Sequence, residues 1–119
     1  MDAPDWSTWL MIGAGAFFAF NVYRSTRGKA SSAEVKKLLE AGALLVDVRS
    51  AAEFSSGHLP GAKNIPVQEL AARTGELGEK DAPIVVYCRS GARSGSAASY
   101  LQKQGFTRVS DLGAMSRFQ

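Results

Sequence analysis

The sequence holds one cysteine and one histidine in its 119 residues. A single cysteine excludes an intrachain disulfide framework and a metal site built from several cysteines. It also leaves this chain without a second thiol to resolve a modified Cys88, so another molecule must discharge it. A lone reactive thiol suits a reducing compartment better than an oxidising one.

Dense runs of basic residues are also missing. The net charge is +3, and the lysines and arginines are spread along the chain without interleaved aromatic residues. This distribution lacks the electrostatic footprint of a nucleic-acid-binding protein. We therefore predict no nucleic-acid partner, and we expect neither a metal nor a cofactor.

Charged side chains are absent from residues 6–23. As a helix this stretch would span about 27 Å, just short of the ~30 Å hydrocarbon core of a bilayer. Trp6 and Trp9 lie at one end and Tyr23 at the other, as aromatic residues do at membrane interfaces. We predict an N-terminal tail over residues 1–5, a transmembrane helix over 6–23, a linker over 24–30 and a folded domain over 31–119.

The charges that flank this stretch predict its orientation. Asp2 and Asp5 precede it, whereas Arg24, Arg27 and Lys29 follow it. The positive-inside rule then places the C-terminal domain of a single-pass protein in the cytoplasm. A cleaved signal peptide fits less well, because its first region should be basic. A buried or interfacial helix of a soluble protein is the alternative, since polar residues and glycines interrupt the stretch.

Strand and helix patterns alternate after residue 30. Helices are predicted near residues 32–42, 50–57, 67–73 and 92–104, strands over 44–48, 84–88 and 108–110, and a terminal helical turn within 113–119. The strand segments are nearly continuous apolar runs, which are typical of strands buried on both faces. The alternation predicts an α/β fold, with a small parallel sheet flanked by helices on both faces.

Cys88 stands where a predicted strand meets a predicted helix. Backbone N–H groups at such a turn carry partial positive charge, and Arg89 and Arg93 add full charges. These groups favour thiolate over thiol and would hold an anionic substrate. The alternative is a structural buried cysteine, which has no need of two neighbouring arginines.

Three motifs of this sequence occur in the order found in a known family. Residues 88–94 read CRSGARS and resemble the C-x-x-G-x-R-S loop of rhodanese-type sulfurtransferases. Residues 47–49 and 53–62 resemble that family's D-x-R and E-[FY]-x-x-G-H-[IL]-P-G-A signatures, and residues 111–113 continue the match. The resemblance covers about residue 31 to the C-terminus and implies a rhodanese-like fold.

The resemblance implies transfer of sulfane sulfur through a persulfide on Cys88. Thiosulfate or another persulfide would be the small anionic donor, and a thiol, cyanide or a sulfur-accepting protein would be the acceptor. The substrate-binding residues would be Arg89, Ser90, Gly91, Ala92, Arg93 and Ser94. Asp47 and Arg49 would support them, because parallel strands share the edge at which they end. Glu53 could pair with Arg49 or with a loop arginine, or cap its own helix, and we favour the cap. We interpret His58 as a turn residue, not as a catalytic base.

Two other functions stay open at this point. One is phosphatase- or arsenate reductase-type chemistry at the same loop. The related phosphatases use C-x5-R loops, whereas Cys88 and Arg93 enclose four residues here. That smaller cradle should fit a sulfur atom better than a tetrahedral phosphate. The other alternative is a noncatalytic binding module recruited to a membrane, although inactive domains of this kind typically lack the cysteine.

Overall fold

The computed structural model describes residues 28–118. The predicted tail, the predicted transmembrane helix over 6–23 and most of the predicted linker lie outside these residues. Within the described part of the chain, no helix is long and apolar enough to cross a membrane.

A four-stranded parallel sheet forms the centre of the domain. Its strands are β1 (Leu44–Asp47), β2 (Lys63–Asn64), β3 (Ile84–Cys88) and β4 (Val109–Ala114). The spatial order is β2-β1-β3-β4, so the two most apolar strands are neighbours in the middle. The predicted parallel sheet is confirmed, and β1 and β3 both end at the edge where sites form in such sheets.

Helices cover this sheet, and serine caps start two of them. They are α1 (Ser32–Glu40), α2 (Ala51–Ser55) and α3 (Ala92–Lys103), with 3-10 helices at Val67–Ala72, Thr74–Leu77 and Met115–Arg117. Ser31 Oγ accepts the Glu34 N–H at 3.1 Å at the start of α1. Ser50 and Glu53 form a complete capping box at the start of α2. Each cap satisfies N–H groups that the first helical turn leaves without a partner.

The core has two halves, one on each face of the sheet. Successive side chains of a strand point to opposite faces, so Val86 and Cys88 pack with Leu101 of α3, whereas Tyr87 packs with Val35 of α1 and with Leu112. Cys88 therefore belongs to the face covered by α3. The alternation of side chains along β3 thus determines that the thiol packs among residues of the α3 face.

The structure differs from the sequence prediction in its shortest and last elements. The strand expected over 108–110 runs to Ala114, because its parallel pairing with β3 continues through Cys88↔Ala114 after a register shift. The predicted terminal turn is therefore confined to Met115–Arg117. Residues 67–72 form a 3-10 helix, and the two-residue strand β2 had no pattern long enough to predict it.

The end of the predicted linker is part of the domain. Lys29 forms a parallel bridge with Asp111, and the Ala30 N–H donates to the Asp111 carbonyl oxygen at 2.7 Å. β4 is an outer strand of the sheet, so its backbone groups on that side need partners. Residues 29 and 30 supply some of them.

Candidate active site

The Cys88 thiol is buried, and the backbone that follows it surrounds the sulfur. Cys88 Sγ accepts the Gly91 N–H at 3.0 Å and the Ser94 N–H at 3.3 Å, and Ser94 Oγ lies 3.5 Å away. Gly91 has a φ of +101°, a left-handed value that residues with a Cβ rarely adopt. This turn folds residues 88–94, here called the Cys88 loop, back over its own cysteine.

Two opposing effects set the acidity of this thiol. Burial raises the pKa of Cys88, whereas the hydrogen bond between the thiol and the Ser94 hydroxyl and those from the N–H groups of Ser94, Gly91 and Ser90 lower it. Together the hydrogen bonds prevail, and the pKa of Cys88 lies below its ordinary value. A lowered thiol pKa raises the thiolate fraction near neutral pH, and thiolate is the nucleophile.

Arg93 is bound to Glu53 across the site. The Nη1 and Nη2 atoms of Arg93 donate to the two Glu53 carboxylate oxygens at 2.6 and 3.0 Å. Glu53 also accepts the Ser50 N–H at 3.2 Å, and these contacts, led by Arg93, lower the pKa of Glu53 to about 2. Glu53 thus caps α2, as interpreted from the sequence, and also pairs with a loop arginine. Helix α2 is thereby tied to the Cys88 loop.

The outer side of the Cys88 loop faces solvent. Arg89, Ser90 and Ala92 are exposed, and the Arg89 side chain makes no ion pair with any residue of 28–118. The Arg93 charge is partly offset by Glu53, whereas that of Arg89 faces water. Arg89 is therefore well placed to attract a small anion from solution.

Asp47 and Arg49 form a buried ion pair. Arg49 Nε lies 3.0 Å from both Asp47 carboxylate oxygens, Arg49 Nη2 lies 2.6 Å from Oδ2, and this pairing raises the pKa of Arg49. Arg49 Nη2 also donates to the Gly57 carbonyl oxygen at 2.7 Å. Among the described residues, no hydrogen bond joins this pair to the Cys88 loop. The pair instead fixes the chain just after α2, the helix that carries Glu53.

His58 is placed as a turn residue. Its Nδ1 lies 2.9 Å from the Phe54 carbonyl oxygen, and its ring stacks on the Phe54 ring at 3.6 Å between centroids. Its side chain is exposed, and no hydrogen bond joins it to Cys88 in the described part of the chain. This geometry fits the interpretation that it is not the base of a Cys-His dyad.

Three residues near the site had no sequence signal that identified their roles. Asn64 Nδ2 donates to the Asp47 and Arg49 carbonyl oxygens at 3.0 and 2.9 Å, and Tyr87 Oη accepts the Leu59 N–H at 3.1 Å. Lys29 Nζ donates to the Gly91 carbonyl oxygen at 2.9 Å. Each contact joins residues that are distant in sequence, so local patterns do not predict them. Within residues 28–118, no group of three His, Cys, Asp or Glu side chains is arranged to hold a metal ion.

Comparison with known proteins decides the family. A sequence model described as the Rhodanese-like domain matches residues 31–119. The chain belongs to this family. The family resemblance of its motifs is thus confirmed, and its α/β fold with a small parallel sheet is the rhodanese-like fold.

Named relatives of this rhodanese-like domain include enzymes of sulfur transfer. The chain is 46% identical over 69 residues to a protein of Allochromatium vinosum named "Sulfurtransferase", an alignment that covers 58% of this chain and 64% of the relative. It is 40% identical over 77 residues to the thiosulfate sulfurtransferase GlpE of Pseudomonas fluorescens, covering 63% and 68% of the two chains. The chain thus spans less than two thirds of the Allochromatium protein.

A solved structure shares the fold. The human single-domain sulfurtransferase TSTD1 is 31% identical, with a TM-score of 0.67 over 76% of this chain and 93% of that protein. Nearly the whole of that protein is therefore matched by the described domain.

Proposed function

We propose that this rhodanese-like domain is a sulfurtransferase that carries sulfane sulfur as a persulfide on Cys88. The observation that carries the proposal is the Cys88 loop, whose N–H groups point at a buried sulfur and lower its pKa. Relatives named sulfurtransferase and thiosulfate sulfurtransferase support the same reaction. A small anionic sulfur donor and a thiol, cyanide or sulfur-accepting protein are the proposed reaction partners.

The first half-reaction is a displacement at sulfur. The Cys88 thiolate attacks the outer sulfur of thiosulfate, a new S–S bond forms, and the S–S bond of the donor breaks. Its electron pair leaves with sulfite, so the charges of thiolate and thiosulfate are conserved in persulfide and sulfite. The N–H donors of Gly91 and Ser94 are already oriented toward the sulfur, so they stabilise its charge without reorganisation during the reaction.

The second half-reaction regenerates the thiolate. A nucleophile such as cyanide or an acceptor thiolate attacks the outer sulfur of the persulfide, and the electron pair of the broken bond returns to Cys88. This chain has one cysteine, so the acceptor must come from another molecule.

Arg89 and Arg93 have different parts in donor capture. Arg89 is exposed and attracts the anionic donor from solution. Arg93 donates two N–H groups to Glu53, which leaves three of its five guanidinium donors for a bound anion. Its pair with Glu53 fixes the position of that guanidinium, so we assign Arg93 to orienting the bound donor and Arg89 to attracting it.

Intact-protein mass spectrometry tests the proposal. After exposure to thiosulfate, the wild-type protein should gain the mass of one sulfur atom and lose it again with cyanide. The Cys88→Ser variant should gain nothing, since no other thiol is present. Absence of any sulfur gain in folded wild-type protein would contradict the proposal. Efficient hydrolysis of a phosphomonoester would support phosphatase-type chemistry instead.

We also propose that residues 6–23 anchor the domain in a membrane, with the domain in the cytoplasm. The uncharged stretch and the basic residues that follow it support this topology. Residues 24–28 alone separate the proposed span from Lys29, a distance of at most about 20 Å even when fully extended. The proposed anchor would therefore hold the Cys88 loop close to the membrane surface.

Fractionation tests the anchor, and thiol labelling tests its orientation. The full-length protein should stay in the membrane pellet after alkaline carbonate extraction. Cys88 should resist an impermeant thiol reagent in intact cells and react with it after the cells are opened. Release into the supernatant would contradict the anchor, and labelling in intact cells would contradict the orientation.

A further inference from the structure

Lys29 crosses from the start of the described chain to the Cys88 loop. It precedes residues 31–119, the part matched by the rhodanese-like family model. Its ammonium donates to the Gly91 carbonyl oxygen at 2.9 Å and forms an ion pair with Asp111, whose side chain is 9% exposed. The side chain is itself 34% exposed, so the contact is half-buried.

Three glycines make room for this side chain. A Cβ added at Gly113 would lie 3.2 Å from Lys29 Cδ, one at Gly95 would lie 3.4 Å from Nζ, and one at Gly91 would lie 3.5 Å from Cε. The lysine stem therefore runs in close contact with the backbone of the Cys88 loop, α3 and β4. Asp111 is fixed in turn, because its Oδ1 accepts the Gly113 N–H at 2.9 Å.

The Gly91 residue joins Lys29 to the sulfur. Its carbonyl oxygen accepts from Lys29 Nζ, from Ser94 Oγ at 3.1 Å and from the Gly95 N–H at 3.0 Å. Its N–H donates to Cys88 Sγ. Gly91 has no side chain to restrict its left-handed backbone, so the contacts of its carbonyl oxygen fix the peptide that follows it and reduce the freedom of the residue that carries the N–H.

We propose that Lys29 is a positioning residue for the reaction at Cys88: by binding the Gly91 carbonyl and Asp111, it holds the Cys88 loop in the conformation that directs the Gly91 N–H at the sulfur. This inference rests on the proposed sulfurtransferase function. Lys29 acts through the loop, by its contacts with the Gly91 carbonyl oxygen and with Asp111. The reactive loop is thus completed by a residue from the segment that links the domain to the N-terminal part of the chain.

The thiolate of the single cysteine gives a readout that does not require sulfur transfer. In purified full-length protein, ultraviolet absorbance against pH reports thiolate formation, with Cys88→Ser as the blank. Lys29→Met keeps the apolar stem but removes the ammonium. We expect it to raise the titration midpoint of Cys88 by about 0.5–1 pH unit, because it loosens the loop that directs the Gly91 N–H at the sulfur. The Lys29→Arg variant should have a midpoint close to that of the wild type, since a guanidinium can donate to the same Gly91 and Asp111 oxygens.

Lys36→Met is the matched control, because Lys36 is an exposed lysine of α1 and the substitution removes the same charge. It should leave the midpoint unchanged. Sulfur loading by thiosulfate at pH 7 should slow several-fold in Lys29→Met and not in Lys36→Met, at a temperature where thermal melts show all variants folded. Equal midpoints and loading rates in Lys29→Met and wild type would overturn the proposal. Absence of sulfur loading in the wild type would instead contradict the sulfurtransferase function. In that case the titration midpoints alone would decide whether Lys29 positions the loop.

Discussion

Two neighbouring strands of the sheet end at the same edge, and each ends in a polar group with a different environment. At the end of β3, Cys88 receives N–H groups from the loop that follows it. At the end of β1, Asp47 is bound by the guanidinium of Arg49, two residues later in the chain. The N–H groups at the end of β3 are directed at a sulfur atom that can react. At the end of β1, the guanidinium N–H groups of Arg49 are bound to the Asp47 carboxylate.

The direction of the side chains accounts for much of this difference. Asp47 is paired in register with Tyr87, so both point to the α1 face, whereas Cys88 is the next residue and points to the α3 face. Helix α3 begins at Ala92, within the Cys88 loop, and its first turn supplies the Ser94 N–H to the sulfur. The chain after Arg49 instead enters a capped short helix. Neighbouring strand ends can therefore differ in role, with chemistry at one and mechanical support at the other.

The largest contrast between the two ends should come from Cys88→Ser. Sulfur transfer from thiosulfate to cyanide should be abolished, because the hydroxyl is a far weaker nucleophile than a thiolate. The free energy of unfolding should change little, since serine has a similar shape and its oxygen accepts the same N–H groups from Gly91 and Ser94. Thiocyanate formation and urea denaturation measure the two effects. Residual transfer above background would place the reactive group elsewhere.

The reverse contrast should come from Arg49→Met at the end of β1. Removal of one partner leaves the Asp47 carboxylate buried and unpaired, which typically costs about 3–5 kcal/mol of stability. Replacing both residues, as Asp47→Leu with Arg49→Met, should recover much of that loss, because the buried charge is removed as well. Below its melting temperature, the single variant should retain most of its kcat/KM. A fall in kcat/KM with unchanged stability would show that the pair acts on the reaction itself.

Local patterns explain why much of this site could be predicted from the sequence. The apolar run before Cys88, the short loop and the helical spacing after it define a strand-loop-helix unit within about 20 residues of chain, and that unit carries the reactive sulfur. Serine and glutamate three residues apart likewise predicted the α2 cap.

Local patterns left most contacts between distant segments open. Parallel pairing extends β4 to Ala114, although the sequence over 113–119 suggested a helical turn. For Glu53 the sequence offered Arg49, a loop arginine or its own helix cap, and the structure shows the cap together with Arg93, 40 positions away. The Lys29–Gly91 bond joins residues 62 positions apart and had no signal in the sequence. A charged side chain has several possible partners in the sequence. Which of them it contacts depends on the segments that the assembled sheet brings together.

The two loop arginines should separate attraction of the donor from its orientation. Arg89→Ala should raise the KM for thiosulfate with little effect on stability, since the side chain is exposed and forms no ion pair within residues 28–118. Loss of one charge-assisted contact predicts a fall in kcat/KM of about tenfold. Arg93→Ala should lower kcat/KM more than Glu53→Gln, because the latter keeps the guanidinium beside the loop. Equal losses in these two variants would mean that Arg93 acts mainly through its pair with Glu53.

The smallest effect, and one with a change of sign, is expected for Tyr87→Phe on the face opposite the thiol. Near neutral pH the variant should lose about 0.5–1.5 kcal/mol, because the Leu59 N–H loses the phenol oxygen as its acceptor. Burial, the largest cause, raises the pKa of Tyr87 to about 12 from an ordinary value of 10.0. Between these values the unfolded phenol releases its proton while the folded one keeps it, so wild-type stability falls as pH rises through this window.

A phenylalanine side chain has no proton to release, so the Tyr87→Phe variant should lack this contribution to the alkaline loss of stability. The difference in free energy of unfolding between the two proteins should therefore narrow above pH 10 and reverse toward pH 12. Over this range ionisation of the phenol increasingly stabilises the unfolded wild type relative to its folded form. Urea denaturation of both proteins across this range measures it, and the groups that titrate in both cancel in the comparison. A constant difference would mean that Tyr87 ionises as it does in water. In that case the α1 face at the end of β1 would be open to solvent. This would contradict the contrast between a buried, supporting end of β1 and a reactive end of β3.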